Sequence, residues 1–159
     1  MAFLRFLMLL SLIVWLGGII FFAVLAPTVF RALPTHHLAG SVIAPLLSIL
    51  HWMGLVSGIV FLASSIAYAR IATGAPHIFA ARNVLLVIML GLTLISQFGV
   101  TPRMDALRTS IGAIGNVPVT DPARVEFNAL HAWSTRLEVA VLVLGLIVTY
   151  LTASNSFSS

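Results

Sequence analysis

The sequence contains no cysteine, no lysine and only four acidic residues in a chain of 159 residues. Without cysteine the chain cannot form disulfides, thiolate metal sites or a cysteine nucleophile, so a metal ion would have to bind histidine, carboxylate or methionine. Without lysine the formal charge of +4 comes entirely from arginine. Because the arginines are scattered between apolar stretches and form no basic face, we expect no nucleic-acid partner.

The chain is rich in apolar residues and poor in charged ones. Apolar residues make up 60% of the chain and charged residues 8%, and the mean hydropathy is +1.14, values far from those of soluble domains. We therefore predict an all-α integral membrane protein, a single domain over residues 1–159 that forms a four-transmembrane-helix bundle in the lipid bilayer. The spans are expected at 3–26, 41–69, 83–101 and 128–152, with an irregular polar loop at 102–120 and a short polar tail at 153–159.

The last apolar run, Val139 to Leu151, is too short to cross a membrane alone, since a spanning helix needs roughly 20 residues. Asp121-Pro122 forms a good helix start, with a capping carboxylate and a proline at the first helical position. A helix that begins there takes its missing turns from the polar stretch before the run, which brings Arg136 and Glu138 to or below the membrane surface. Ionisable groups at that depth are costly, so they are candidates for a functional site.

Two other spans carry stripes of small and polar residues at helical spacing. Residues three or four apart share a helix face, and in membranes such residues mediate helix packing and interhelical hydrogen bonds. We therefore expect both stripes to face the interior of the bundle. The second span contributes Ser48, His51, Gly54 and Gly58, and the third contributes Thr93, Gln97 and Thr101.

A faint internal repeat relates the second and fourth spans. Leu50-His51-Trp-Met-Gly54 in the second span resembles Leu130-His131-Ala-Trp-Ser134 in the fourth. Two helical hairpins arranged as a parallel repeat would explain this similarity. The repeat predicts that His51 and His131 lie at comparable depth and face one shared site. The polar side chains expected around that site are Arg103, Asn128, Ser134, Arg136 and Glu138.

Several short motifs extend over nearly the whole chain. They are Trp15-Leu-Gly-Gly18, Leu50-His51-Trp-Met-Gly54, Thr101-Pro-Arg-Met-Asp-Ala-Leu-Arg108, Asp121-Pro122 and Phe127-Asn-x-Leu-His131-x-x-Ser134-x-Arg136-Leu-Glu138. These motifs resemble those of a family of small membrane proteins that includes human transmembrane protein 205. The resemblance implies a four-span helical bundle and no established biochemical activity.

The first span is also similar, more distantly, to copper-resistance-protein-D-like proteins and to HemJ-type protoporphyrinogen oxidases. The HemJ-type resemblance implies haem or porphyrin chemistry held by histidines on helices. In that pattern a histidine stands near the start of the first span, and this first span has none. Haem binding therefore does not carry over residue by residue and depends on His51 and His131 alone.

The first functional hypothesis is a membrane-embedded redox-type protein in which His51 and His131 are the ligands of haem b or of a copper ion. Imidazole suits both centres. A ligating histidine also needs partners that fix the orientation of its ring, and Asn128 and Ser134 are the nearest candidates. Two histidines are few, so other interpretations stay open.

Two alternative functions stand beside the redox hypothesis. The first uses His131 and its polar neighbours, and the second uses none of the predicted ligands. In a transporter or channel for a small solute or for protons, Arg136 and Glu138 would line a wet entry and His131 would relay protons. In an accessory subunit of a larger membrane complex, or in a homo-oligomer, the glycine pairs would pack against a partner. Arg103, Arg136 and Glu138 would also fit a purely structural ion-pair network. No hydrolase triad or phosphate loop is visible, so whether the chain is an enzyme is left open.

The distribution of arginine gives little indication of the orientation in the membrane. Arg5, Arg70 and Arg82 lie on the side of the amino terminus, and a similar number lie on the other side, so the positive-inside rule is almost balanced. The signal-like start and the acid-free middle loop favour both termini in the cytoplasm. We expect an integral protein of a bacterial inner membrane whose polar face lies outside.

Overall fold

The computed structural model describes residues 1–112 and 117–154, and within these ranges the chain forms helices and no strand. The helices are α1 (Ala2–Ala32), α2 (His36–Thr73), α3 (Ala81–Ile95), α4 (Thr101–Ile111) and α5 (Pro122–Ser154), with a π-helical turn, Ser96–Val100, between α3 and α4. Four stretches are long and apolar enough to cross a membrane, the third being the continuous run Ala81–Ile111. The predicted all-α fold with four membrane-spanning helices is confirmed.

The ends of two helices follow local sequence signals. Thr35 caps α2, and its hydroxyl accepts a hydrogen bond from the backbone N–H of Leu38 at 3.3 Å. Gly74 ends the same helix in the left-handed region, with a φ of 74°, which suits glycine because it has no Cβ. The predicted start of the last helix is confirmed, since Asp121 accepts from the N–H of Ala123 at 2.9 Å and α5 begins at Pro122.

The spans form a ring in which each helix packs against its neighbours in sequence and α5 packs against α1. The contacting pairs are α1 with α2, α2 with α3, α3 with α5, and α5 with α1. Helices α2 and α5 therefore lie diagonally across the bundle, and side chains that join them cross its interior. This order consists of two successive hairpins, while the parallel repeat between them stays a prediction.

The centre of the bundle depends on close approach of α1 to α2. Trp15 is 2% exposed and lies over the glycines of α2. A Cβ at Gly54 would lie 2.7 Å from Cε2 of Trp15, so a larger residue there would displace the indole. A Cβ at Gly58 would lie 2.6 Å from Cδ2 of Leu90 and 3.0 Å from Cζ3 of Trp15. Around this contact is an apolar core that includes Leu12, Phe61, Leu86, Met89 and Val148.

The glycines that were candidates for contacts with a partner are mostly used inside the chain. Gly18 lies against Met53 and Leu50 of α2, whereas a Cβ at Gly17 would meet nothing within 4 Å. Together with Gly54 and Gly58, Gly18 therefore serves the internal packing of α1 and α2. An accessory role in a larger complex stays a prediction, and of these glycines only Gly17 has open space beside it.

The structure differs from the prediction after Pro102, where an irregular loop was expected from residue 102 onward. Thr101–Ile111 is helical and extends the third span. Proline is tolerated in the first turn of a helix because its missing N–H needs no partner there. The π-helical turn immediately before it replaces regular α geometry at the point where Pro102 cannot donate to the preceding turn. Proline therefore changes the helix locally without ending it.

The end of the bundle that carries the α2–α3 connection is joined by polar contacts. Arg5 Nε donates to the hydroxyl of Tyr68 at 3.0 Å. Ser65 Oγ donates to Asn83 Oδ1 at 2.7 Å and accepts from Arg82 Nε at 3.1 Å. These bonds connect α1 with α2 and α2 with α3, away from the residues predicted to form the site.

Candidate functional site

His51 is buried in the centre of the bundle, and both of its ring nitrogens have hydrogen-bond partners on other helices. The residue is 1% exposed. Its Nδ1 lies 2.8 Å from Oε1 of Gln97, in the π-helical turn, and its Nε2 lies 2.7 Å from Oε1 of Glu138, on α5. The imidazole therefore connects α2 to α5 across the bundle and to the third span at its side.

The orientation of the Gln97 amide determines where the protons lie. Gln97 Nε2 donates to Ser48 Oγ at 2.9 Å, which leaves Oε1 facing His51 as an acceptor. Since an amide oxygen can only accept, the Nδ1–H of His51 donates to it. One proton is then shared between His51 Nε2 and Glu138 Oε1. The pair is either imidazolium with carboxylate or imidazole with carboxylic acid, and its net charge is zero in both forms.

The π-helical turn Ser96–Val100 positions Gln97 in this network. Such a turn widens the helix by one residue, changes the direction of the side chains on it and is frequent at functional sites. It also leaves a buried hydroxyl, Ser96 Oγ, without a hydrogen-bond partner among the described residues. The local geometry therefore departs from the regular helix at the residue that orients His51.

A large cavity begins at one end of the bundle and extends to Glu138. Its volume is about 760 Å³, and it lies between the end of α1, the start of α2, α4 and the first half of α5. The side chain of Glu138 is 18% exposed, while that of His51 is 1% exposed. Glu138 therefore connects the buried imidazole to the cavity. Other polar residues along its wall are His36, His37, Asn128, His131 and Ser134.

A second cavity of about 640 Å³ lies beside the first and includes Ser48 and Gln97 in its wall. The two cavities share Ala44, Thr101, Asp105 and Arg108. The two hydrogen-bond partners of His51 therefore line different cavities: Glu138 lines the first cavity and Gln97 lines the second. Thr101 Oγ1 is buried and has no hydrogen-bond partner among the described residues.

The structure brings together only part of the predicted cluster. Glu138 and Ser134 line the first cavity with Asn128 and His131. Arg103 and Arg136 are exposed, and neither lines that cavity. The guanidinium of Arg136 instead lies 5.5 Å from the centre of the Trp133 ring. Glu138 pairs with His51, and in the described part of the chain no ion pair joins it to either arginine.

The expectation that His51 and His131 lie at comparable depth is not met. His51 contacts Glu138, which follows His131 by two helical turns, a separation of roughly 10 Å along the axis. His131 therefore lies nearer the mouth of the cavity than His51 does. Ligation of haem b or copper by these histidines stays a prediction, with the added condition that His51 must give up its bond to Gln97 or Glu138.

A metal site built from a larger set of side chains is not apparent. Within residues 1–112 and 117–154, no group of three or more histidine, aspartate or glutamate side chains is arranged so that it could hold a metal ion.

Several residues of the site could not be assigned from the sequence. Gln97 and Ser48 were placed on inward polar faces, and this is confirmed, but their bonds to His51 and to each other were not expected. Arg108 and Arg124 line the first cavity and were not among the residues predicted for the site. The sequence could indicate only part of the site, because helical periodicity shows which residues share a face of one helix. It does not show which residues of another helix they contact.

Comparison with known proteins identifies a family without assigning an activity. A family described as a domain of unknown function, DUF4149, matches residues 10–113. The match includes His51 and Gln97 and ends before Glu138. No curated protein and no solved structure matches the chain. These comparisons do not support the more specific resemblances to transmembrane protein 205 or to copper-resistance protein D. Because this match covers well over half of the chain, the chain belongs to the DUF4149 family.

Proposed function

We propose that the protein is a proton-linked membrane carrier in which Glu138 and His51 bind and release the transported proton. The observation that carries this proposal is the contact of 2.7 Å between the buried His51 Nε2 and Oε1 of Glu138, a residue in the wall of the cavity. Ionisable residues inside membrane bundles commonly serve as proton relays. The function corresponds to the transporter alternative of the sequence, in which Glu138 already lined the entry, with His51 in place of His131 as the histidine that relays the proton.

The asymmetry of exposure gives the two residues different roles. Glu138 faces the cavity, so it exchanges the proton with water there, while His51 is shielded and holds the proton within the bundle. Adding or removing one proton changes the net charge of this site by one unit. A lone charge in a low-dielectric interior is costly, so proton movement is favoured when an opposite or compensating charge moves with it.

The packing beyond His51 supports a carrier over an open channel. Trp15 fills the space over Gly54 and Gly58, and Phe61 and Met89 continue the buried core. A proton or solute that enters from the cavity meets this packed region, so passage requires a rearrangement of helices, as in alternating access. With both termini in the cytoplasm, as the sequence predicts, the cavity would open on the outer side.

The proposal is tested by proton flux into proteoliposomes that contain a pH-sensitive dye. With the wild-type protein, an imposed pH gradient is expected to collapse faster than in protein-free liposomes. Glu138→Gln keeps the size and the hydrogen-bonding capacity of the side chain but cannot ionise, so its flux is expected to fall to the level of protein-free liposomes.

The matched control is Glu126→Gln, which removes an exposed carboxylate from the same helix and outside the cavity. Its flux should equal that of the wild type. Both variants are first compared with the wild type by thermal melting in detergent, so that a loss of fold is recognised. Wild-type flux in a folded Glu138→Gln variant would contradict the proposal.

A further inference from the structure

We propose that the first cavity binds an amphipathic anion, a molecule with one carboxylate or phosphate head and an apolar body, and that Arg108 and Arg124 bind the head. The inference rests on the proposed function in one respect, because this anion would be the solute that moves with the proton. The support comes from charge, from the placement of the two guanidinium groups and from the apolar lining.

The uncompensated charge around the cavity is positive. Two acids line it, and each has a basic partner: Asp105 Oδ1 accepts from Arg108 Nη1 at 3.1 Å, and Glu138 pairs with His51. Arg124 also lines the cavity, and its Nη1 donates to the backbone carbonyl of Val117. No acid pairs with Arg124 in the described ranges. A cation whose protein partner is neutral favours an anionic ligand.

Arg108 is held in position by two other helices. Its guanidinium carbon lies 5.7 Å from the centre of the Phe127 ring on α5. Its side chain crosses Gly40 on α2, where a Cβ would lie 3.3 Å from Nε. A guanidinium fixed in this way presents its planar donors with little loss of conformational freedom, which suits a carboxylate or a phosphate. Arg124 contributes a second guanidinium from the first turns of α5.

The rest of the cavity suits an apolar body. Phe22, Phe30, Leu47 and Leu142 contribute to its wall, and its volume of about 760 Å³ falls within the range of roughly 300–1,000 Å³ of small-molecule sites. A hydrocarbon chain or small ring system with an anionic head therefore matches both parts of the cavity.

The charge of the ligand also matches the proton site. A monoanion that enters the cavity together with one proton for the His51–Glu138 pair brings no net charge into the bundle. The pair and the anion would then be loaded as a neutral unit, which avoids the cost of moving a single charge. No bond is made or broken in this process except the transfer of the proton.

Binding is tested with the full chain in nanodiscs of phosphatidylcholine, using radiolabelled dodecyl phosphate and empty nanodiscs as the blank. Saturable binding above the blank is expected, and unlabelled laurate should compete with it. Dodecanol, which lacks the charge, and inorganic phosphate, which lacks the apolar body, should each compete at least roughly tenfold more weakly, a difference of about 1.4 kcal/mol.

The head-group assignment is tested with Arg124→Gln and Arg108→Gln. Each variant is expected to weaken binding by roughly tenfold, while Arg103→Gln, which changes an exposed arginine outside the cavity, should leave it unchanged. The inference is overturned if no saturable binding occurs, if dodecanol or inorganic phosphate competes as well as laurate, or if both cavity variants bind like the wild type.

The flux and binding assays separate the two proposals. Binding with the expected selectivity but without dependence of proton flux on Glu138 would leave the anion site standing and contradict the carrier. Flux that depends on Glu138 without binding of the labelled anion would leave the carrier standing and contradict the anion site.

Discussion

His51→Leu is expected to destabilise the protein by about 3 kcal/mol, because it removes one member of a buried pair and leaves the other without a partner. Leucine is of similar size, so little packing is lost. Gln97 Oε1 would lose its donor, and Glu138 Oε1 would lose its hydrogen-bond partner. At roughly 2–4 °C per kcal/mol for a chain of this size, thermal melting in detergent should show a decrease in Tm of roughly 6–12 °C.

A double-mutant comparison separates the unpaired carboxyl from other effects of the leucine. In His51→Leu/Glu138→Leu the acid is also removed, so the double variant should melt at a higher temperature than His51→Leu alone, since apolar replacement of both members of a buried pair is often neutral or stabilising. If the two substitutions lower Tm additively, the pair does not stabilise the bundle in the way that its geometry indicates.

Gly54→Ala is expected to cost about 1–3 kcal/mol, because the added methyl group overlaps the indole of Trp15 and the core has no room for it. The indole is 2% exposed and rigid, so it cannot turn aside without disturbing the contact of α1 with α2. Circular dichroism during heating in detergent measures the effect as a decrease in Tm.

Gly17→Ala is the matched control, since a Cβ there would meet nothing within 4 Å. It should be neutral or slightly stabilising, because alanine has the higher helix propensity by roughly 0.8–1.0 kcal/mol. Equal decreases in Tm for both variants would show that any added methyl group disturbs these helices and that the contact with Trp15 is not responsible.

The membrane fold could be predicted from the sequence because it depends on local properties. Apolar length identifies a span, and the pair Asp121-Pro122 marks the start of α5. The same length argument predicted that Glu138 lies at or below the membrane surface, and in the structure its carboxylate contacts His51. Burial of the small, polar face of α2 also followed from helical spacing.

The pairing within the site could not be predicted, because it depends on how separate helices face one another. His51 and Glu138 are 87 residues apart and lie on diagonal helices. Because the motifs around His51 and His131 are similar, the two histidines were predicted to lie at comparable depth in the bundle, which they do not. The π-helical turn that orients Gln97 has no clear sequence signal, and the proline that follows it was interpreted as a helix end when the helix continues to Ile111.

The protonation of Glu138 itself provides the most direct test of the proposed proton site. Infrared difference spectra of the protein in membranes, recorded between alkaline and acidic pH, report the carbonyl stretch of each carboxyl group that gains a proton. When the Glu138→Gln spectrum is subtracted from that of the wild type, one such band should remain, and it should shift in a His51→Asn background because the hydrogen-bond partner has changed.

The same subtraction with Glu126→Gln should give a band that is insensitive to His51. A wild-type spectrum identical to that of Glu138→Gln would show that Glu138 exchanges no proton with the cavity and would contradict the carrier.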